Sequence, residues 1–146
     1  HHVMDVGWTA DGKKIASAGA DNVVKIWDYE KGEKSRDIQG FGKQVTRLAF
    51  LPKTATFLAV SGDASVRLWN ADNGSSMKQY PGAGDFLYAV AASPDGTIVV
   101  AGGEEGVLRV YDGAKGSLVK AALPPDAEPK KEEPKKEEPK KDPKKK

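Results

Sequence analysis

The chain has 146 residues, of which 23 are Lys or Arg and 21 are Asp or Glu, and its net charge is +2. Residues 1–123 carry 14 basic and 14 acidic side chains, so the positive excess lies in residues 124–146 and the body lacks the basic stripe of a nucleic-acid groove. The absence of cysteine excludes disulfides and thiolate chemistry, and no apolar run reaches the roughly 18 residues of a membrane-spanning helix.

Residues 1–39 predict four short strands. In chain order these are VMDVGWT, KKIASAG, VVKIWDY and EKSRDIQ, each containing β-branched or aromatic residues and bounded by Gly, Asp or charged turns. The first connection carries Asp11-Gly12, a dipeptide that readily adopts the positive φ of a tight hairpin. These strands predict one small antiparallel sheet.

The rest of the chain as far as Leu123 repeats this pattern twice more, without an insertion. The third unit keeps the hairpin dipeptide as Asp95-Gly96, whereas the second has Lys53-Thr54, so its turn is expected to differ. The spacing is constant at about 42 residues, and a fixed period of this size is typical of solenoids and propellers. The positions that coincide include Asp28, Asn70 and Asp112, preceded by Trp27, Trp69 and Tyr111, and the turn glycines Gly32, Gly74 and Gly116.

Residues 3–123 resemble the WD40-repeat family of β-propellers, with some similarity to bacterial members. The resemblance rests on Trp27-Asp28 at the end of the third strand, on the turn acid Asp21 six residues before the tryptophan, and on the length of the repeat. It implies an all-β fold, an incomplete ring of three four-stranded antiparallel blades followed by a disordered tail. The predicted segments are blades at 1–39, 40–81 and 82–123 and the tail at 124–146.

The resemblance also implies a buried polar network that this sequence keeps only in part. In the family a His before each blade hydrogen-bonds the turn Asp, which supports a strand Ser and the Trp. The first unit keeps Ser17, Asp21 and Trp27, but the later units are expected to lack the network, and Asp63 is expected to be held by backbone amides of its own turn. The positions that differ are Phe41 and Ala83 for the His, and Ala59 and Ala101 for the Ser.

Two sets of side chains recur at the repeat spacing and are predicted to be structural. Trp27, Trp69 and Tyr111 each end an apolar strand, which favours core packing between blades over stacking on a ligand. The second set consists of cations that alternate with the apolar residues, which predicts solvated or edge charges. These cations are Lys25, Arg67 and Arg109.

The sequence predicts no catalytic, cofactor or metal site, and therefore no enzyme. His1-His2 are adjacent, so on a strand their side chains point to opposite faces, and no third ligand is placed near them. The acids Glu104-Glu105 lie in a turn that offers no nucleophile or positioned His. The glycine-rich stretch 102–106 precedes a strand, whereas a phosphate-binding loop precedes a helix.

A protein-binding rim is predicted from the alternating direction of the strands. The loops between blades and the loops between second and third strands share one rim, because successive antiparallel strands return the chain to the same side. Exposed Phe41 and Phe86 would be anchors for a protein partner, or each would fill the gap left by the absent His, and both interpretations stay open. The candidate rim residues are Phe41, Lys43, Gln44, Asp85, Phe86 and Glu104.

Three blades in a row would leave two apolar flanks uncovered, because each blade of a propeller packs on both faces. We therefore expect this chain to be the C-terminal piece of a longer one whose further blades cover the flanks. Association of copies into a closed ring is the other interpretation.

The tail is predicted to be an extended solubilising spacer. Proline at 129, 134, 139 and 143 prevents a helix, and the segment offers nothing apolar to bury. Contact of Lys144, Lys145 and Lys146 with an anionic surface is the alternative, which the interleaved acids weaken.

The leading functional hypothesis is a non-catalytic propeller segment that serves as a scaffold for protein partners of unknown identity. The alternative is the accessory end of a larger bacterial enzyme or cytochrome-type electron-transfer protein, which a Cys-x-x-Cys-His motif upstream would support. A carbohydrate or envelope binder anchored by the tail is a third hypothesis. The sequence does not separate a cytoplasmic protein from a periplasmic or exported one.

Overall fold

The computed structural model describes residues 1–124, and that part of the chain consists of twelve β-strands with no helix. The predicted tail lies outside the described residues apart from Pro124. The strands are β1 (Val3–Trp8), β2 (Lys14–Gly19), β3 (Val24–Asp28), β4 (Glu33–Ile38), β5 (Val45–Phe50), β6 (Thr56–Ser61), β7 (Val66–Asn70), β8 (Ser76–Tyr80), β9 (Leu87–Ala92), β10 (Ile98–Gly103), β11 (Leu108–Asp112) and β12 (Leu118–Ala122).

The strands form three separate antiparallel sheets, which we call blade 1 (β1 to β4), blade 2 (β5 to β8) and blade 3 (β9 to β12). Within each blade every strand pairs with its neighbours in sequence, so each connection is a hairpin. A bulge interrupts the pairing of the third and fourth strands at the same repeat position, between Ile26 and Trp27 in blade 1. The predicted fold of three four-stranded blades in an incomplete ring is confirmed.

The hairpins between first and second strands follow the turn residues. Gly12 and Gly96 adopt positive φ values of 70° and 72°, and each donates its N–H to the carbonyl of the residue that follows the first strand, Thr9 or Ser93. In blade 2 the positive φ of 61° falls instead on Lys53, one position earlier in the repeat. The prediction that this turn differs is therefore confirmed.

A cluster of buried side chains fills each boundary between neighbouring blades. Between blades 1 and 2 it contains Ala18, Val24 and Ile26 on one side and Val45, Leu48, Phe57 and Trp69 on the other. Between blades 2 and 3 it contains Val60, Val66 and Tyr80 on one side and Leu87, Val90, Val99 and Tyr111 on the other. Since each large aliphatic or aromatic side chain contributes about 1.5–3 kcal/mol on burial, these boundaries supply most of the hydrophobic stabilisation.

The outer faces of blades 1 and 3 are apolar and open. Val3 and Val6 are 65% and 61% exposed, although the equivalent Val45 and Leu48 of blade 2 are buried against blade 1. At the other end Leu108 is 49% exposed, although the equivalent Val66 is buried against blade 3. We call the first face the leading flank (Val3, Val6, Trp8, Trp27) and the second the trailing flank (Tyr88, Ile98, Leu108).

Candidate functional site

One rim of the molecule is assembled by the loops that join the blades and the loops between second and third strands. Backbone hydrogen bonds tie the two kinds of loop together in each blade: Gly62 donates to Gln44 at 3.0 Å, and Glu104 donates to Phe86 at 2.8 Å. Ser61 adds a bond from its hydroxyl to the carbonyl of Lys43 at 3.0 Å. Lys43 and Gln44 therefore lie beside the turn at Ser61 and Gly62, and Phe86 lies beside Glu104.

A shallow cavity of about 300 Å³ opens on this rim where the three blades meet. Lys43 and Gln44 present a cation and an amide group to this cavity beside the ring of Phe86. Because the cavity is open, it suits a peptide segment better than an enclosed small molecule. It is lined by Asn22 from blade 1, by Gly42, Lys43 and Gln44 from the loop before β5, and by Phe86 from the loop before β9.

Phe86 is half-buried, and its ring lies over the backbone of Gly62, where a Cβ atom would overlap it. The ring also packs on Tyr88, with 4.9 Å between centroids. Tyr88 donates its hydroxyl to the carboxylate of Glu104 at 2.5 Å, and this bond to an anion raises the pKa of Tyr88. Asp85 is exposed beside this group, so blade 3 presents an aromatic pair edged by two acids.

Phe41 fills the gap left by the absent His and is not an exposed anchor. Its side chain is only 7% exposed, and its ring packs on Trp69 with 5.5 Å between centroids. The guanidinium of Arg67 lies 5.8 Å from the centre of the Phe41 ring and donates to the carbonyl of Gly40 at 2.7 Å. Phe41 therefore fills the boundary between blades 1 and 2 and presents no anchor on the rim.

Asp63 fixes the loop that carries Lys43 and Gln44. Its carboxylate accepts a backbone bond from Ser65 in its own turn at 3.0 Å and a second from Gly42 in the preceding loop at 2.6 Å. Burial opposes the charged form, but the hydrogen bonds outweigh it and the pKa of Asp63 is lowered. The carboxylate thus stays charged at neutral pH and holds the two loops together.

The cations that recur once in every repeat all take part in the blade structure. Lys25 forms an ion pair with Asp21, and Arg109 forms one with Glu105 and also donates to the carbonyl of Gly82 at 2.7 Å. Arg109 is only 7% exposed. The prediction of solvated or edge charges is wrong for Arg109, because the turn acid four residues earlier and the loop carbonyl together satisfy the buried guanidinium.

Blade 1 keeps only the Ser–Trp bond of the polar network, and the other two blades lack that bond. Trp27 donates its indole N–H to the hydroxyl of Ser17 at 2.9 Å. The carboxylate of Asp21 pairs with Lys25 instead of supporting Ser17, and its second oxygen is buried without a partner among the described residues. Among the described residues, the indole N–H of Trp69 and the hydroxyl of Tyr111 are buried without a hydrogen-bond partner. Trp69 is 6% exposed and Tyr111 is fully buried, while Trp27 on the leading flank is 36% exposed.

Sequence reasoning missed two residues of this rim. Asn22 lines the cavity because it adopts a φ of 64° in the turn between β2 and β3, a conformation that Asn tolerates better than most residues. Tyr88 was not singled out, although its alternation with buried Leu87 places it on the opposite face of β9. Within residues 1–124 no cluster of three potential metal ligands occurs, and no helix there is long and apolar enough to cross a membrane.

Three segments of the chain match the sequence model of the family described as "WD domain, G-beta repeat": residues 1–28, 32–70 and 74–112. The chain belongs to the WD40 family. Each matched segment ends where the third strand of a blade ends, at Asp28, Asn70 or Asp112. The fourth strand of a WD40 blade thus begins the next sequence unit, so each internal unit contributes to two neighbouring sheets.

WD40 proteins of several eukaryotes are similar to this chain. Anaphase-promoting complex subunit cdh1 of Dictyostelium discoideum is 30% identical over 114 residues, which cover 75% of this chain and 15% of that protein. THO complex subunit 3 of Arabidopsis thaliana is 33% identical over 115 residues, covering 75% and 36% respectively. Cilia- and flagella-associated protein 52 of Bos taurus is 32% identical over 63 residues, covering 43% and 10%. The chain thus spans about a third or less of the length of these relatives.

Proposed function

We propose that this chain is a non-catalytic WD40 scaffold segment that binds a protein partner through the rim cavity of the three blades. The observation that carries the proposal is the cavity itself, where residues from all three blades converge on one shallow, open site. The contact residues are Lys43, Gln44, Asp85, Phe86 and Glu104. Phe41 is left out because it is buried.

The family relationship supports a role in protein assembly. Two of the relatives are named as subunits of complexes, the anaphase-promoting complex and the THO complex. The rim combines a half-buried aromatic ring with separated charges of both signs, the chemistry of a moderately polar protein interface. The partner that fits is a protein segment that covers Phe86 and pairs with Lys43 on one side and with Asp85 on the other.

The test is proximity labelling in cells with the full chain and with a rim variant that combines Lys43→Glu, Asp85→Lys and Phe86→Ala. We expect the rim variant to lose specific neighbours that the unchanged chain labels, while its unfolding midpoint stays within a few degrees. The matched control carries Lys13→Glu and Lys115→Glu, two exposed lysines in turns on the opposite rim. Equal labelling by all three proteins contradicts the proposal, as does equal loss in the control.

We also propose that in a longer protein further blades cover the two flanks. The exposed Val3, Val6 and Leu108 and the greater length of the relatives support this. An accessory role in a larger enzyme or electron-transfer protein concerns residues beyond this chain, and no feature of residues 1–124 favours it.

A further inference from the structure

The rim carries three exposed charges that have no partner of opposite sign among residues 1–124. Within that part of the chain no ion pair includes Lys43, Asp85 or Glu104. All three side chains are exposed, whereas Glu105, the neighbour of Glu104, is paired with Arg109. The rim therefore presents a positive position at the cavity and a negative position on blade 3, and the described residues neutralise neither.

The tail leaves the blades at this same rim. Pro124 follows β12 and lies against the turn between β10 and β11, where its Cγ atom would be 3.5 Å from a Cβ atom placed on Gly106. Glu104 stands in the same turn, and its N–H is bonded to the carbonyl of Phe86, which lines the cavity. Residues 125–133 span up to about 30 Å when extended, so this part of the tail is long enough to cross from Pro124 to the cavity.

The tail carries the charge pattern that complements the rim. Residues 130–133 read Lys-Lys-Glu-Glu, and the same four residues recur at 135–138. Counted outward from Pro124, two positive charges come first and two negative charges follow. The rim presents the opposite order over the same path, with the acids of blade 3 nearest Pro124 and Lys43 beyond them. Opposite charges in matching order determine how one surface is placed on another.

We propose that residues 130–133 lie across the rim, with their two lysines against Asp85 and Glu104 and their two glutamates against Lys43. Exposed ion pairs are individually weak, but a short tether gives the tail an effective concentration in the millimolar range beside its site. The tail thus occupies the surface to which the proposed function assigns a protein partner, and the partner has to displace it. The competition rests on the proposed function, whereas the contact of the tail with the rim does not.

The experiment is paramagnetic NMR on the full chain. The sequence contains no cysteine, so a nitroxide attached through Pro134→Cys marks a single position. We expect the amide signals of Lys43, Gln44 and Phe86 to lose most of their intensity at low salt, relative to the same chain with the label reduced. The intensity should return at about 1 M salt, where the screening length is about 3 Å. Amides on the opposite rim should keep their intensity throughout.

A charge exchange tests the pairing itself. A rim-exchange variant that combines Lys43→Glu, Asp85→Lys and Glu104→Lys should abolish the signal loss, because like charges then face each other. Exchanging every Lys and Glu of residues 130–138 in the same protein should restore it. The opposite-rim control with Lys13→Glu and Lys115→Glu should behave like the unchanged chain.

The proposal is overturned if the full chain shows no signal loss, if the loss is equal on both rims, or if it persists in the rim-exchange variant. It is also overturned if a labelled chain produces the same loss in a second, isotope-labelled chain mixed with it, since the tail of another copy would then be the occupant.

This measurement needs no partner, so it fails separately from the proposed function. Rim contact by the tail, with no neighbours lost by the rim variant in cells, refutes the proposed function alone. Neighbours that depend on the rim, with no contact by the tail, refute this inference alone. Where both hold, exchanging the charges of the tail alone should increase the labelling of these neighbours, and an unchanged level would overturn the competition.

Discussion

At the level of single residues, this WD40 chain shows what one hydroxyl contributes to a blade. Ser17 accepts the indole N–H of Trp27, whereas Ala59 and Trp69 stand at the equivalent positions of blade 2 and leave that N–H without a partner. A buried donor without an acceptor costs about 1–3 kcal/mol. Blade 2 therefore keeps the packing of the family but carries a polar defect in its core.

The defect predicts a stabilising substitution. Ala59→Ser should provide Trp69 with the acceptor that Trp27 has, and should raise the free energy of unfolding by about 1 kcal/mol. Chemical denaturation of the two proteins measures the change. Ala18→Ser is the matched control, since it adds the same hydroxyl to a fully buried, apolar position and should destabilise the protein. A loss of stability in Ala59→Ser as large as in Ala18→Ser would contradict this account.

The sequence left the roles of the two phenylalanines open, and the structure separates them. Phe41 is buried beside Trp69 and under Arg67, and Phe86 remains half-buried on the rim above Gly62. The repeat gave no guide to either ring, because the equivalent positions of the neighbouring blades carry Ala83 and Gln44, which are not aromatic. Phe41 is covered by Arg67 of β7, a contact between residues far apart in sequence that the repeat pattern does not show.

At the level of strands and turns, the sequence predicted much more of the structure than it did for single side chains. The predicted strand segments of blade 1 agree with the observed bounds to within one residue at either end. Strands and their ends are predictable because alternating side chains and turn residues determine them locally. The sequence predicted that the turn between β5 and β6 would differ, but it did not predict that Lys53 would adopt a positive φ. Neither Lys53 nor Thr54 is glycine, so the residue types did not indicate which of them would adopt it.

The strained turn in blade 2 predicts a second stabilising substitution. Left-handed backbone costs a non-glycine residue about 1–2 kcal/mol relative to its preferred conformation, so Lys53→Gly should raise the free energy of unfolding by about 0.5–1 kcal/mol. Thermal unfolding followed by circular dichroism is a suitable measurement. Thr54→Gly serves as the control, because Thr54 has no positive φ and glycine there should lower stability. Equal effects of the two substitutions would disprove the strain at Lys53.

At the level of the whole molecule, the position of a blade in the row determines how deeply its repeated residues are buried. Trp27 and Trp69 occupy equivalent places, but Trp69 is 6% exposed under Phe41 and Trp27 is 36% exposed on the leading flank. The repeat spacing predicted the blades and their number, and it predicted that two flanks would be open. It could not predict which side chains form the rim cavity, since these come from three different blades.

The two tryptophans make this dependence measurable. Trp69→Ala should cost about 3–5 kcal/mol of unfolding free energy because it leaves a cavity at a blade boundary. Trp27→Ala should cost about 1–2 kcal/mol, since less of its surface is buried. Urea titrations of both variants give the comparison. If the two losses are equal, burial by the neighbouring blade is not what distinguishes these positions.

The hairpin order of every blade has a consequence for how the chain reaches this structure. Within residues 1–124, each strand pairs only with strands next to it in sequence, and each blade packs only on the blade before or after it. A chain built in this way needs no distant partner to complete a sheet, so little loop-closure entropy is lost at any one step. During synthesis, each repeat that leaves the ribosome can form a blade on the finished surface of the preceding one, before the rest of the polypeptide exists.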